Sequence, residues 1–225
     1  MSAERRRVVV SWSGGKDAAW ALHVLRRDPL VDVVGLLTTV NAAFARVAMH
    51  GVRVELLRAQ AAAAGLPLHE IPLPWPCTNE KYESAMANAV GRIREAWRTT
   101  HVAFGDLFLE DVRAYREERM RGTGLEPLFP LWHVPTGDLS AAMLAAGMRT
   151  WIVCLDPKKL PRELAGRPLD RELLDALPAG VDRCGERGEF HTFVTEGPML
   201  NQRIATVSGE VIEREGFVYA DLIPA

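Results

Sequence analysis

Val8-Val9-Val10-Ser11-Trp12 runs straight into Ser13-Gly14-Gly15-Lys16 and then into the alanine-rich stretch from Asp17 to Trp20. A β-branched run, a glycine pair and a helix-forming segment in direct succession require a strand that hands over to a helix through a tight turn. That handover opens a βαβ unit, and in open α/β sheets the first such turn lies in the crevice beyond the carboxyl ends of the strands, where ligands bind. Gly14 and Gly15 let successive N–H groups converge on an anion, the helix start adds its positive dipole end, and Lys16 supplies a fixed charge. A di- or triphosphate fits such a turn. The Walker pattern does not apply, because it needs glycine and Ser or Thr where this chain has Val10 and Asp17. The dinucleotide fingerprint fails as well, since the two glycines are adjacent and no third follows. A plain glycine turn with a surface lysine would account for the residues but not for their coincidence with a strand end and a helix start.

The same alternation continues along the chain. Apolar runs at Val31–Thr38, Leu68–Leu73 and His101–Phe104 read as strands; amphipathic stretches at Asp17–Arg27, Val52–Ala64, Thr78–Thr99 and Glu110–Arg121 read as helices. Gly65 and Pro67 stop the second helix. Leu125–Trp132 reads as a further strand interrupted by Pro127 and Pro130, Leu139–Ala146 as a helix closed by Gly147, and Trp151–Leu155 as a strand. Beyond the helical stretch Arg171–Leu177 the character changes to β-rich segments at Glu189–Thr195, Ile204–Glu213 and Gly216–Ile223. The pattern predicts an α/β fold: a doubly wound, mostly parallel sheet in residues 1–125 and a smaller mixed α+β domain in residues 126–225.

Composition narrows the functional classes. The 225 residues, 48% of them hydrophobic, suffice for a full core, and 27 Lys and Arg against 29 Asp and Glu leave no overall basic field for nucleic acid. Cys77, Cys154 and Cys184 form no CxxC pair and read as free thiols in a reducing compartment. No run approaches the ~20 apolar residues that span a bilayer, and the N-terminal segment is too short in apolar residues for a signal peptide. A cytoplasmic protein without membrane or nucleic-acid partner is expected.

Ser13-Gly14-Gly15-Lys16-Asp17 resembles the SGGKDS loop of the PP-loop ATP pyrophosphatase superfamily, with Ala18 in place of the final serine. A second resemblance covers nearly the whole chain. Val47-Ala48-Met49-His50-Gly51-Val52-Arg53, Asn79-Glu80-Lys81-Tyr82-Glu83, Phe104-Gly105-Asp106-Leu107, Pro130-Leu131-Trp132 and above all Cys184-Gly185-Glu186-Arg187-Gly188-Glu189-Phe190-His191-Thr192-Phe193 are similar to the diphthine ammonia ligase family. This resemblance implies a HUP-like ATP-binding domain, ATP and Mg²⁺ as cofactors, and adenylation of a carboxylate followed by ammonia transfer. The carboxylate would be carried on a protein such as a translation elongation factor. No glutaminase domain fits within this length, so free ammonia is the implied nitrogen source. An isologous homodimer suits the architecture but has no sequence signal of its own.

The resemblance distributes roles over named residues. Ser11, Ser13, Gly14, Gly15, Lys16, Asp17, Ala18, Gly105 and Asp106 would bind the nucleotide, with Asp17 and Asp106 on the metal. Lys16, Asp17, Glu186, Glu189 and His191 would be catalytic, His191 as the group titrating near neutral pH. His50, Arg53, Asn79, Glu80, Tyr82, Gly185 and Gly188 would bind substrate. Each has a plainer reading. Asp17 can be a helix cap and Asp106 part of a Gly-Asp turn. Glu186 and Glu189 can be a solvated turn, with His191 packed among Phe190 and Phe193. His50 and Arg53 can be an ordinary helix start, Asn79 a cap, and Lys158 and Lys159 a solvated pair. Two other functions compete with the ligase: a nucleotide-binding regulatory module without turnover, made more credible by Ala18, and a PP-loop tRNA-modifying enzyme.

Overall fold

The computed structural model describes residues 5–44, 46–47 and 51–225. Strand β1 (Arg6–Ser11) presents alternate side chains to its two faces, as a strand must. Val8 and Val10 pack with helices α1 (Lys16–Leu25) and α2 (Val54–Ala64). Val9 faces the other way, into a second core with α3 (Asn79–Trp97) and the end of α4 (Glu110–Met120). Burial on both faces explains why the run is continuously apolar rather than alternating.

β1 pairs in parallel with β2 (Val31–Asn41) and β5 (His101–Ala103); β4 (Leu68–Leu73) lies parallel to β2, and β6 (Glu126–Leu128) parallel to β5. The two-residue β3 (Arg46–Val47) joins β2 antiparallel. The resulting mostly parallel sheet carries helices on both faces, the doubly wound arrangement expected of the N-terminal part. β6 is shorter than the expected strand through Trp132. Pro127 donates no N–H and sits in this edge strand, and the chain turns at Pro130–Leu131.

The C-terminal part adds α5 (Thr136–Ala145), β7 (Arg149–Leu155), α6 (Arg171–Ala176), β8 (Phe190–Glu196), β9 (Thr206–Arg214) and β10 (Phe217–Pro224). Its four strands form an antiparallel sheet in the order β8-β7-β10-β9. β8 packs against α1: Phe193 and Val194 share one core with Ala18, Ala19 and Leu22. Phe193 is fully buried there, and truncating such a ring to alanine costs about 3–5 kcal/mol. This packing brings the far end of the sequence beside the first strand-to-helix turn. Among the described residues no helix is long and apolar enough to cross a membrane.

Candidate functional site

The Trp12–Lys16 turn is anchored from two sides. Gly14 takes φ +80, and a Cβ there would stand 2.6 Å from Leu57 Cδ2, so glycine alone suits the position. Its carbonyl accepts from Val194 N–H at 3.0 Å and from the Gln60 amide at 3.1 Å; Gln60 also accepts from the Trp12 indole at 3.0 Å and donates to Val194 O at 2.6 Å. Gln60 is wholly buried, so each of these bonds satisfies a group that has no access to water. Gly105, beyond the end of β5, approaches the start of α1 so closely that a Cβ would meet the Asp17 carbonyl carbon at 2.8 Å. The turn is therefore rigid before any ligand arrives.

Helix α1 begins at Lys16 with Gly15 as N-cap, and no side chain caps it. Asp17 stands inside the first turn rather than at the cap, which removes the capping explanation for this residue. Its Oδ2 accepts from Lys16 Nζ at 2.7 Å, while its Oδ1 is buried without a partner. Lys16 Nζ also donates to the Cys184 carbonyl and lies 5.5 Å from the centre of the Phe190 ring. Burial is the largest single influence and opposes the ammonium charge, but Asp17, Cys184 and Glu186 together hold Lys16 above its ordinary value.

Ser11, Ser13, Gly15, Lys16, Asp17 and Ala18 line a cavity of about 430 Å³. Gly105 and Asp106 line it from the end of β5, and Gly185, Glu186, Gly188 and His191 line it from the C-terminal part. Apart from Gly14, the residues expected to bind nucleotide thus face one space with Glu186 and His191, although the turn and the Gly185–His191 segment are far apart in sequence. Thr192 contributes a hydroxyl that accepts from Lys16 N–H at 3.1 Å.

Glu186 and His191 depart from their ordinary ionisation in opposite senses. Burial pushes the Glu186 carboxyl up to about 7, against the pull of a 2.8 Å hydrogen bond from Leu107 N–H. Burial, with the nearby Lys16 charge, holds His191 down to about 4. The expectation that His191 titrates near neutrality is thereby corrected: the imidazole is neutral at pH 7, and the group that changes charge there is Glu186. Glu189 does not line the cavity. It is buried, its Oε1 accepts from Asp182 N–H at 3.1 Å, and its Oε2 has no partner. Asp182 in turn accepts from the amides of Cys184 and Glu186 at 2.9 and 3.1 Å, so Glu189 supports the turn that carries Glu186. Cys184 lies on the cavity wall, but burial raises its thiol to about 12 and it stays protonated.

Arg116 of α4 was not singled out by the sequence, since nothing in EDVRAYREERM distinguishes it from its arginine neighbours. In the fold its Nε lies 3.4 Å from Asp106 Oδ2 and its guanidinium 4.9 Å from the Phe104 ring. Burial pushes the Asp106 carboxyl up, and Arg116 opposes that shift.

A second cavity, of about 420 Å³, adjoins the first along Ser11, Ser13, Phe104, Arg116 and His191. Its walls are largely apolar, with Leu37, Ile71, Val90 and Val102. Asn79 and Tyr82 line this second space, and so does Thr38, whose buried hydroxyl has no partner. Glu80 points to the exposed side of α3. Arg53 is held away from both cavities in a bidentate pair with Asp221, Nη2 on Oδ2 at 2.7 Å and Nε on Oδ1 at 3.2 Å. His50 lies outside the described residues. Lys159 donates to the Arg187 carbonyl at 2.7 Å, and Lys158 is exposed.

Among the described residues no group of three or more His, Cys, Asp or Glu is arranged to hold a metal by itself. Cys77, Cys154 and Cys184 are free thiols.

The diphthamide synthase N-terminal domain family matches residues 6–127, and the diphthamide synthase C-terminal domain family matches residues 137–221. The diphthine–ammonia ligase of Bos taurus is 25% identical over 154 residues, which cover 66% of this chain and 57% of that protein. The Homo sapiens diphthine–ammonia ligase is 26% identical over 133 residues, 57% of this chain and 50% of that protein. The Mus musculus counterpart is 27% identical over 135 residues, with the same two shares. The chain thus spans little more than half the length of the curated relatives it matches. Two family matches that divide the chain between them, together with a cavity lined from both matched regions, lead to one assignment: this chain belongs to the diphthamide synthase family.

Proposed function

We propose that this chain is an ATP-dependent, AMP-forming amide ligase that adenylates a carboxylate and transfers ammonia to it. One observation carries the reading: Ser13 and Gly15–Ala18 of the turn line the same cavity as Gly185, Glu186, Gly188 and His191. A nucleotide-binding module without turnover has no need for a carboxylate poised near pH 7 beside its phosphate turn.

In this reading the first turn of α1 and the Lys16 ammonium receive the polyphosphate, where the positive end of the helix dipole favours negative charge; the Lys16 N–H itself is held by Thr192. The adjoining apolar cavity takes the nucleoside, and the unpartnered Thr38 hydroxyl offers a hydrogen bond to the base. Arg116 adds a cation where the two cavities join. Mg²⁺ usually binds one or two carboxylates together with substrate phosphates and water. The orphaned Asp17 Oδ1 fits that requirement, with Asp106 as the second carboxylate. Bound there, the ion would neutralise charge on the departing pyrophosphate.

The substrate carboxylate attacks the α-phosphorus of ATP and pyrophosphate leaves. Ammonia then attacks the acyl carbon of the mixed anhydride, AMP leaves, and the proton lost by nitrogen passes to Glu186. A carboxyl at about 7 is suited to this, since it is partly ionised under working conditions and becomes a stronger acceptor than an ordinary glutamate. Neutral His191 lies on the shared wall as a hydrogen-bonding group rather than a cation. Glu189 acts through Glu186 by holding its turn. By the names of the relatives the acceptor is diphthine, and the family resemblance puts that residue on an elongation factor.

The test is incubation with ATP, Mg²⁺, ammonium and a diphthine-bearing elongation factor, with assay of AMP, pyrophosphate and amide. The reading predicts all three in equal amounts, each dependent on Lys16. Tight ATP binding without AMP under every condition would favour the regulatory module.

A further inference from the structure

His191 lines not two cavities but three. The third, of about 320 Å³, is walled by Phe44, Trp75, Phe217 and Tyr219 with Arg46 and Arg214. Phe44 and Trp75 meet edge to face at 5.9 Å and remain 48% and 57% exposed, so a pair of large rings stands at its mouth. Phe217 also lines the phosphate-side cavity, and Val47 lines both this cleft and the apolar one. The cleft thus shares wall residues with both spaces assigned above to the nucleotide.

Its charge is uneven. Arg46 donates to Asp221 at 2.8 Å and to Gly51 O at 2.6 Å, and shares that single carboxylate with Arg53. Arg214 is different. Its guanidinium lies 5.7 Å from the Phe44 ring and 5.6 Å from the Tyr219 ring, and among the described residues no carboxylate pairs with it. Its neighbour Glu213 pairs with Arg162 instead, and Glu215 lines the cleft without joining Arg214. Of the residues that line the cleft, two guanidiniums, Arg46 and Arg214, stand against the single carboxylate of Glu215, which leaves a surplus of positive charge. A guanidinium held over ring faces keeps its planar fork free for a carboxylate.

Resting on the ligase reading, we propose that this cleft is the acceptor site: the apolar body of the carboxylate substrate lies between Phe44, Trp75 and Tyr219, and its negative charge is drawn in by Arg214 before it passes His191 to the nucleotide. The rings bury hydrocarbon or aromatic surface. Arg214 rejects the neutral analogue, because an unpaired guanidinium gains nothing from an uncharged amide.

The probe is 3-phenylpropanoate, compared with its neutral twin 3-phenylpropanamide by calorimetric titration of the full chain, with and without α,β-methylene ATP. The expected result is at least tenfold tighter binding of the carboxylate. Arg214→Met should weaken it at least tenfold, Arg214→Lys less, and Trp75→Ala severalfold, while affinity for α,β-methylene ATP stays within twofold. Arg214 and Trp75 are exposed, and circular dichroism checks that each variant folds. Equal affinity for the two probes, or undiminished carboxylate binding by Arg214→Met, would overturn the proposal. So would mutual exclusion with the nucleotide analogue, which would put the probe in the other cavity. Failure of the analogue to bind, with the Arg214-dependent carboxylate binding intact, would strike the ligase reading and leave the cleft standing as a carboxylate site.

Discussion

Lys16 N–H donates to the Thr192 hydroxyl at 3.1 Å, across 176 positions of sequence. With Val194 N–H on Gly14 O, this bond fastens the phosphate-side turn to β8, so the geometry of the turn depends on the C-terminal sheet.

Thr192→Val keeps the shape and removes the acceptor. The Lys16 amide is then left buried and unsatisfied, which costs about 1–3 kcal/mol. Urea unfolding should show that loss, and calorimetry should show weakened ATP binding. Thr192→Ser should restore most of both.

Lys16→Met should cost about 3 kcal/mol, because it leaves the Asp17 carboxylate without its buried partner. The double variant with Asp17→Asn should recover most of the stability in the same urea experiment. It should not recover ATP binding, since the charge that receives polyphosphate is still missing. Recovery of both would mean that the pair is structural only.

The pH dependence has two components of opposite sign. Glu186 binds its proton more tightly in the folded chain, from an ordinary 4.5 up to about 7. The stability it contributes is therefore fully present below about 4.5 and is lost as pH rises through about 7. His191 is displaced the other way, from 6.5 down to about 4, so its contribution is present above about 6.5 and is lost as pH falls through about 4. Glu186→Gln should flatten the decline in urea midpoint between pH 4.5 and 7. In the amide assay at a fixed concentration of free ammonia, the wild-type rate should rise with pH through about 7, and the glutamine variant should lack that rise.

Glu189→Ala should lower amide formation more than ATP binding, because its carboxylate positions the Asp182–Glu186 turn without lining the cavity. Glu189→Gln retains an acceptor for Asp182 N–H and should keep a larger share of activity. Single-turnover assays beside nucleotide titrations separate the two effects. Equal losses of binding and turnover would contradict this division.

Local signals carried well from sequence to structure. The β1 turn fell where glycines and Lys16 placed it, α2 ended at Gly65, and α3 began at Asn79 with Thr78, rather than Asn79, as the cap that accepts from Lys81 N–H. The positions of these features are signalled by neighbouring residues, although distant partners then hold the turn in place. What the sequence hid was set by distant partners. Arg53 looked free to meet a phosphate, but Asp221 on β10 binds it. Arg116 looked like one more surface arginine until α4 brought it over Phe104. His191 looked like a neutral-pH switch, and its burial together with the nearby Lys16 charge depresses it. β3 has two residues and no periodicity to detect, and β6 was overextended because its prolines were read as interruptions rather than as an end.

The central claim is that the turn between β1 and α1 receives the polyphosphate. Backbone ¹⁵N–¹H spectra of the chain titrated with Mg²⁺ and α,β-methylene ATP test it most directly. The account predicts that the largest amide shifts fall on Gly14–Ala18, with smaller ones at Gly105, Asp106 and Gly185–His191, and that Lys16→Met abolishes them. Saturable shifts that leave Gly14–Ala18 unmoved would contradict it.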